Sequence, residues 1–256
     1  MDGLDEIDPT KEHKVLGTNW NLEEDVFIMK LNKVVVLARN LEPTKRNMAA
    51  EMFDPLGLIS LAMVGLRMLL QELCLNKCDW DSPIPQHQQH YLQNDLEKVN
   101  HTSMSSYYFP REEKNFRSAF LHAFGDVSKE AYFAVVYLCI ETEEEYRTSR
   151  VSSKTRVTPS SPMTIPRLEL LAALILARLV STAREALPQV INIDEVFCWT
   201  DNMTVFYWIE ANKEYKQCVQ NRVDEIQKLT NLKSWCPCPE SRIQLASGQE
   251  GVWHLN

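Results

Sequence analysis

The sequence has no run of 18 or more apolar residues, so it predicts no membrane-spanning helix. Its longest apolar stretch, 168-LELLAALILARLV-180, is broken by Glu169 and Arg178. Positive charge is scarce: 27 Lys and Arg stand against 35 Asp and Glu, a formal net charge of −8. Phosphate contacts come from Lys and Arg, so this balance argues against a free-standing nucleic-acid binder. It also suits an enzyme that holds cations with carboxylates. The seven cysteines lack regular spacing, and the closest pair, Cys236 and Cys238 in WCPCP, has no two further ligands to complete a zinc site. No DD dipeptide occurs, which excludes the paired-Asp motif of a polymerase palm. No D-T-G or D-S-G occurs, which excludes an aspartic peptidase. An integrase-like His/Cys zinc module and internal repeats are also missing. The N-terminus, MDGLDEIDPTKEHK, is acidic and reads as neither a signal nor a transit peptide. With unpaired thiols, this gives the expectation of an intracellular protein, cytoplasmic or nuclear and not secreted.

What is present falls into two halves. Residues 1–13 read as a disordered tail. The stretch 14-KVLGTNWNLEEDVFIMKL-31 reads as two short strands around an NLEED turn. From Pro43 the pattern turns helical: Thr44 can cap a helix over 45–53, DPLG at 54–57 breaks it, and 58–78 reads as one long amphipathic helix. That helix is expected to show an apolar face. WDSPIP at 80–85 ends it, a polar helix follows at 86–100, and 101–115 reads as a polar linker. The expected segments are therefore 14–105 and 116–248, with a tail at 249–256.

The second half reads as β-strands at 117–126, 131–140 and 147–157, then a helix entered through Thr164 and Pro166. Apolar residues follow at Leu168, Leu171, Ala172, Ile175 and Leu179, the helical period. A strand at 194–201, helices at 203–210 and 217–230, and a last strand at 233–236 complete it. Three antiparallel strands, a crossover helix and a parallel strand make an α/β layout.

Three acids sit at the edges of apolar elements: Asp126 ends the first strand, Glu169 sits in the first turn of the crossover helix, and Asp201 ends the strand expected beside the first. In this layout they converge at one sheet edge. Carboxylates so close repel one another unless a cation sits among them. Mg²⁺ takes a few carboxylate oxygens plus water and phosphate oxygens, and paired ions promote phosphodiester hydrolysis. Each acid also has a plainer reading. A Glu near a helix N-terminus is favoured by the dipole, and an Asp after a strand is an ordinary turn residue. Arg147, Arg150, Lys154 and Arg156 form the one basic stretch, a backbone contact or a solvated face. Trp199, Trp208 and His122 read as packing residues, Ser128 as a turn residue and Asn202 as a helix cap.

GDVSKEAYFAVVYL resembles the first hairpin of an RNase H-like fold. KTRVTP, MTIPRLELLAALILARL, DEVFCWTDNMTVFYWI and QNRVDEIQKLT resemble the Pol polyprotein of BEL/Pao-type LTR retrotransposons. KVLGTNWNLEEDVF, PTKRNMAAEMFDPLGLIS and LLQELCLNKCDWDSPIP resemble the segment between its polymerase palm and its RNase H-like domain. The resemblance covers about residues 14–248. It implies an RNase H-like mixed five-stranded sheet with flanking helices, preceded by a mainly helical segment with a short β-hairpin. It makes 14–105 a segment like the reverse transcriptase thumb and connection, and 116–248 the RNase H-like domain. It implies Asp126, Glu169 and Asp201 as catalytic residues and ligands of Mg²⁺ or Mn²⁺, with Asp126 shared by both ions. The expected partner is an RNA/DNA hybrid or other nucleic acid, and no membrane. The family pattern carries a fourth acid where 240-ESRIQLASGQ-249 has Gln244. Glu240 and Glu250 are out of register, and His254 is the only late histidine. Two expectations follow: an RNA/DNA-hybrid ribonuclease, or an inactive or co-opted fragment that binds nucleic acid or protein.

Overall fold

The computed structural model describes residues 13–15, 18–28, 43–50, 52, 54, 57–60, 63–86, 88, 103–105, 116–211 and 213–238. The chain divides into two compact units, Met1–Tyr107 and Tyr108–Asn256.

The first unit holds a four-stranded antiparallel sheet in the order β1-β2-β3-β4. Its strands are β1 (His13–Val15), β2 (Thr18–Asn21), β3 (Val26–Ile28) and β4 (Ser103–Ser105). The expected NLEED turn joins β2 to β3. Asn21 Oδ1 accepts the N–H of Glu23 at 2.9 Å, and Trp20 Nε1 donates to Asp25 Oδ1 at 3.0 Å. The sheet corrects three expectations. His13 belongs to a strand, not a tail; a third strand precedes the hairpin; and Ser103–Ser105 pairs with β3 rather than linking. Sheet pairing uses backbone groups, and three-residue strands carry no readable alternation.

The same unit has helices α1 (Lys45–Ala50) and α2 (Val64–Leu75). The expected helix over 58–78 is shorter at both ends. The Asp54 carboxylate accepts the N–H groups of Leu58 (2.8 Å) and Ile59 (3.2 Å), and Gly57 has φ 71°, so the chain turns before it coils. At the other end Lys77 adopts φ 55°, Cys78 N–H reaches the Leu73 carbonyl, and Lys77 N–H reaches that of Cys74. That pair of bonds closes a helix. Leu66, Leu69 and Leu73 are buried with Met48, Ile59, Met63 and Ile84, so the apolar face expected to be exposed is covered within its own unit. The expected helix at 86–100 and linker at 101–115 lie largely outside the described residues.

The second unit is an α/β domain. Its strands are β5 (Ser118–Val127), β6 (Ala131–Glu141), β7 (Tyr146–Val157), β8 (Glu195–Thr200) and β9 (Trp235–Pro237). Its helices are α3 (Ile165–Ala186), α4 (Met203–Glu210) and α5 (Gln217–Leu229). The sheet order is β7-β6-β5-β8-β9. β5, β6 and β7 pair antiparallel, whereas β5–β8 and β8–β9 pair parallel, as a crossover helix requires. Ser128 makes the β5–β6 turn: its Oγ accepts the N–H of Ala131 at 3.0 Å. The mixed sheet and its flanking helices are those expected from the sequence.

The core explains why α3 is so apolar. The period suggests a stripe, but Leu170, Ala172, Ala173, Leu176, Ala177, Val180 and Ala183 are all buried, while Leu171 and Leu179 are only half-buried. α3 packs on β5 and β6 and is flanked by α4 and α5, so most of its circumference faces protein. Small residues allow a close approach. A Cβ on Gly125 would lie 3.4 Å from Leu176 Cδ1 and 3.5 Å from the Ala172 carbonyl. That is room for a methyl and no more. Gly125→Val is therefore expected to destabilise the fold by about 1–3 kcal/mol, the usual cost of overpacking. Gly125→Ala should cost far less. Denaturant unfolding of both variants checks this.

Candidate metal centre

Strand register brings the first two acids together. The parallel β5–β8 ladder pairs Phe124 with Trp199, and two residues further along each chain stand Asp126 and Asp201. Asp126 is the penultimate residue of β5, and its Oδ1 accepts the N–H of Val127 at 2.6 Å. Asp201 directly follows β8. The next residue, Asn202, caps α4 by accepting the Val205 N–H at 3.2 Å, as its sequence position suggests. Thr200 is buried; its Oγ1 accepts the Asn202 N–H at 3.3 Å, and its carbonyl accepts the Cys238 N–H at 2.9 Å. Sequence reasoning passed over Thr200, since a lone threonine ending a strand carries no signal. Its bonds fix the bend that presents Asp201.

Glu169 comes from α3. It is the fifth residue of the helix, past the first turn, where the dipole has little hold on a carboxylate. It is also only 7% exposed. One ligand oxygen from each of Asp126, Glu169 and Asp201 lies within 4.8 Å of the others. The Glu169 carboxyl is pushed up to about 8, first by burial, then by Asp201 and then by Asp126. A hard, oxygen-seeking cation is what such a donor set fits.

Other expected residues take plainer roles. His122 stacks on Phe197 and Trp199 on the sheet face away from α3, and its Nδ1 accepts the Trp199 Nε1–H at 3.2 Å. Burial lowers its pKa to about 4, so it stays neutral and packs. Trp199 belongs to this stack, and Trp208 packs against the main core. Thr164 is the N-cap residue of α3 but makes no side-chain cap bond, and Pro166 occupies its first turn. The basic stretch is split by the pleat and by an irregularity between Val136 and Tyr137. Arg147, Lys154 and Arg156 pair with Ile140, Ala134 and Tyr132 on the helix side, whereas Arg150 pairs with Tyr137 on the other. Gln244, Glu240, Glu250 and His254 lie outside the described residues.

Residues 44–202 match the family described as Pao retrotransposon-like RNaseH-like domain. The chain belongs to this family. No curated protein matches it. Among solved structures it is similar to the foamy viral protease-reverse transcriptase in complex with dsDNA, at 9% identity and TM-score 0.50, covering 90% of this chain and 44% of that one. It is also similar to RNase H1 from Halobacterium salinarum, at 12% identity and TM-score 0.31, covering 50% and 90%. An N-terminal RNase H domain from Mycobacterium tuberculosis gives 13% identity and TM-score 0.34, covering 50% and 86%. The foamy viral likeness concerns the fold alone. Among the described residues, no helix is long and apolar enough to cross a membrane.

The raised Glu169 pKa has a measurable consequence. Folded, the group titrates near 8, against an ordinary 4.5 unfolded. Its protonated form therefore favours the fold fully below pH 4.5, and this contribution fades as pH rises to 8. With chelator present, unfolding free energy should fall across that window, and Glu169→Gln should flatten the fall. Mg²⁺ or Mn²⁺ at pH 8 should raise the Tm of the natural chain and leave that of Asp126→Asn much less changed.

Proposed function

We propose that the second unit is a metal-dependent ribonuclease of the RNase H type, acting on the RNA strand of RNA/DNA hybrids within a retrotransposon Pol polyprotein. The observation that carries this reading is the meeting of Asp126, Glu169 and Asp201 within 4.8 Å, from two parallel strand ends and a crossover helix. These carboxylates would hold Mg²⁺ or Mn²⁺. Such ions, when bound, supply an activated water and charge stabilisation on the leaving oxygen in phosphodiester hydrolysis. The chain's own part is to fix the ligands. β5 and β8 set the spacing of Asp126 and Asp201 through their register, and Gly125 lets α3 come close enough to add Glu169. Packing around α3 keeps the Glu169 side chain buried.

A second reading rests on Gln244, which stands where the family pattern carries a fourth acid. An amide oxygen has no net charge and binds Mg²⁺ poorly beside carboxylates. In this reading the domain folds and binds nucleic acid or protein without cleaving. One assay separates the two. The natural chain, Gln244→Asp and Asp126→Asn are each given a labelled RNA/DNA hybrid with Mg²⁺ or Mn²⁺. Cleavage by the natural chain that Asp126→Asn abolishes is the expected result. Cleavage only by Gln244→Asp would place the defect at one residue. No cleavage by either, from folded protein, would leave the non-catalytic reading.

A further inference from the structure

Three Ser/Thr-Pro pairs occur in the sequence: Ser82-Pro83, Thr158-Pro159 and Ser161-Pro162. A proline drives the residue before it to extended backbone and brings no N–H of its own. Proline-directed protein kinases recognise an acceptor Ser or Thr in that form, and the mitogen-activated class favours a second proline two residues before the acceptor. Only 159-PSSP-162 has both prolines, with Ser161 as the acceptor. The fold separates the three pairs further. Ser82 is flanked by held chain: Pro83 forms a β-bridge with Thr44, the Ile84 N–H reaches the Pro43 carbonyl at 2.8 Å, and the Ile84 side chain is buried. Thr158 is tied down directly. Its Oγ1 donates between the carbonyls of Lys129 and Glu130, at 3.1 and 3.2 Å, and its N–H donates to the Glu130 carbonyl at 2.8 Å. Ser161 stands in the irregular stretch 158–164 between β7 and α3, and Pro159, Ser160, Ser161 and Pro162 are all exposed.

The position of this loop follows from strand direction. β5 and β8 run parallel, toward the end of the sheet where Asp126 and Asp201 stand. β6 starts at that end, and β7, antiparallel to it, finishes there. α3 begins there too and brings Glu169 as its fifth residue. The PSSP loop therefore lies at the carboxylate end of the sheet. A phosphoserine carries a charge of about −1.5 to −2 at pH 7. A nucleic acid is a polyanion, so a phosphate on this loop would repel it there, most strongly at low salt.

We propose that Ser161 is the acceptor site for a proline-directed protein kinase, and that its phosphate opposes nucleic-acid binding at this end of the sheet. The second half rests on the proposed function; the first does not. In the transfer, Ser161 Oγ bonds to the γ-phosphorus of ATP and the bridging bond from that phosphorus to the β-phosphate oxygen breaks. ADP leaves, and the hydroxyl proton passes to a carboxylate of the kinase.

The test has two readouts. The natural full chain is incubated with a purified mitogen-activated protein kinase and ATP, and the phosphate is mapped by peptide mass spectrometry. Phosphate is expected at Ser161 and at neither Thr158 nor Ser82. Ser161→Ala should abolish incorporation, Pro162→Ala should lower it strongly, and Ser160→Ala should leave it in place; thermal unfolding confirms that each variant is folded. No incorporation, or incorporation at Thr158 or Ser82 equal to that at Ser161, would overturn the acceptor assignment. The phosphorylated and unmodified forms of the chain carrying Asp126→Asn are then titrated with a fluorescent RNA/DNA hybrid. The phosphate is expected to weaken binding about threefold at low salt, with the difference closing as salt rises. Equal binding by the two forms would overturn the control of binding. No binding by either form would remove the nucleic-acid partner and that control with it, while the phosphate map stands on its own.

Discussion

Three carboxyl groups with ligand oxygens within 4.8 Å of one another are the constraint on which the second unit turns. A fold has no reason of its own to collect carboxylates, and one of them, Glu169, is buried. Repulsion and desolvation act together on that group, which is why its proton is held to about pH 8. The cost is met by the rest of the domain. The long β5–β6–β7 meander and the packed α3 supply a core large enough to hold the carboxylates in place, in the way that strain at functional sites is offset elsewhere.

The geometry also explains choices that look unrelated in the sequence. Ala172 and Ala173 on α3, with Gly125 beneath, set how near the helix lies to the strand that ends in Asp126. Asp194 adds a clamp at the far end of the same ladder. Its carboxylate accepts the Ala119 N–H at 2.8 Å, and its own N–H reaches the Ala119 carbonyl. Both ends of the β5–β8 pair are thereby fixed, and register is what places Asp201 beside Asp126.

Much of the second unit was legible because its signals are long. Strands of 10, 11 and 12 residues and a helix of 22 give periodicity room to declare itself. The meeting of the acids was legible from the expected layout, which set the strand after the crossover helix beside the first strand. Burial of Glu169 was not, because its neighbours Leu168 and Leu170 suggest a stripe, whereas α3 is covered on most sides. The first unit was harder. Asp54 and Gly57 delay α2 by side-chain and backbone geometry that no hydrophobic pattern records, and β4 is a three-residue strand, too short for alternation to show.

Charge arithmetic then bears on Gln244. Three ionised carboxylates carry a charge of about −3, so one divalent cation leaves the site near −1 and two leave it near +1. A fourth acid would bring the two-cation state to neutrality without help. Under the proposed function, Gln244 in that position would leave the second cation without this acid, and a phosphodiester in the site is an anion that would balance it. Under the proposed function the second ion and the substrate would then enter as a coupled pair, each raising the affinity for the other. Such a site would hold one ion at rest and complete itself only around its substrate.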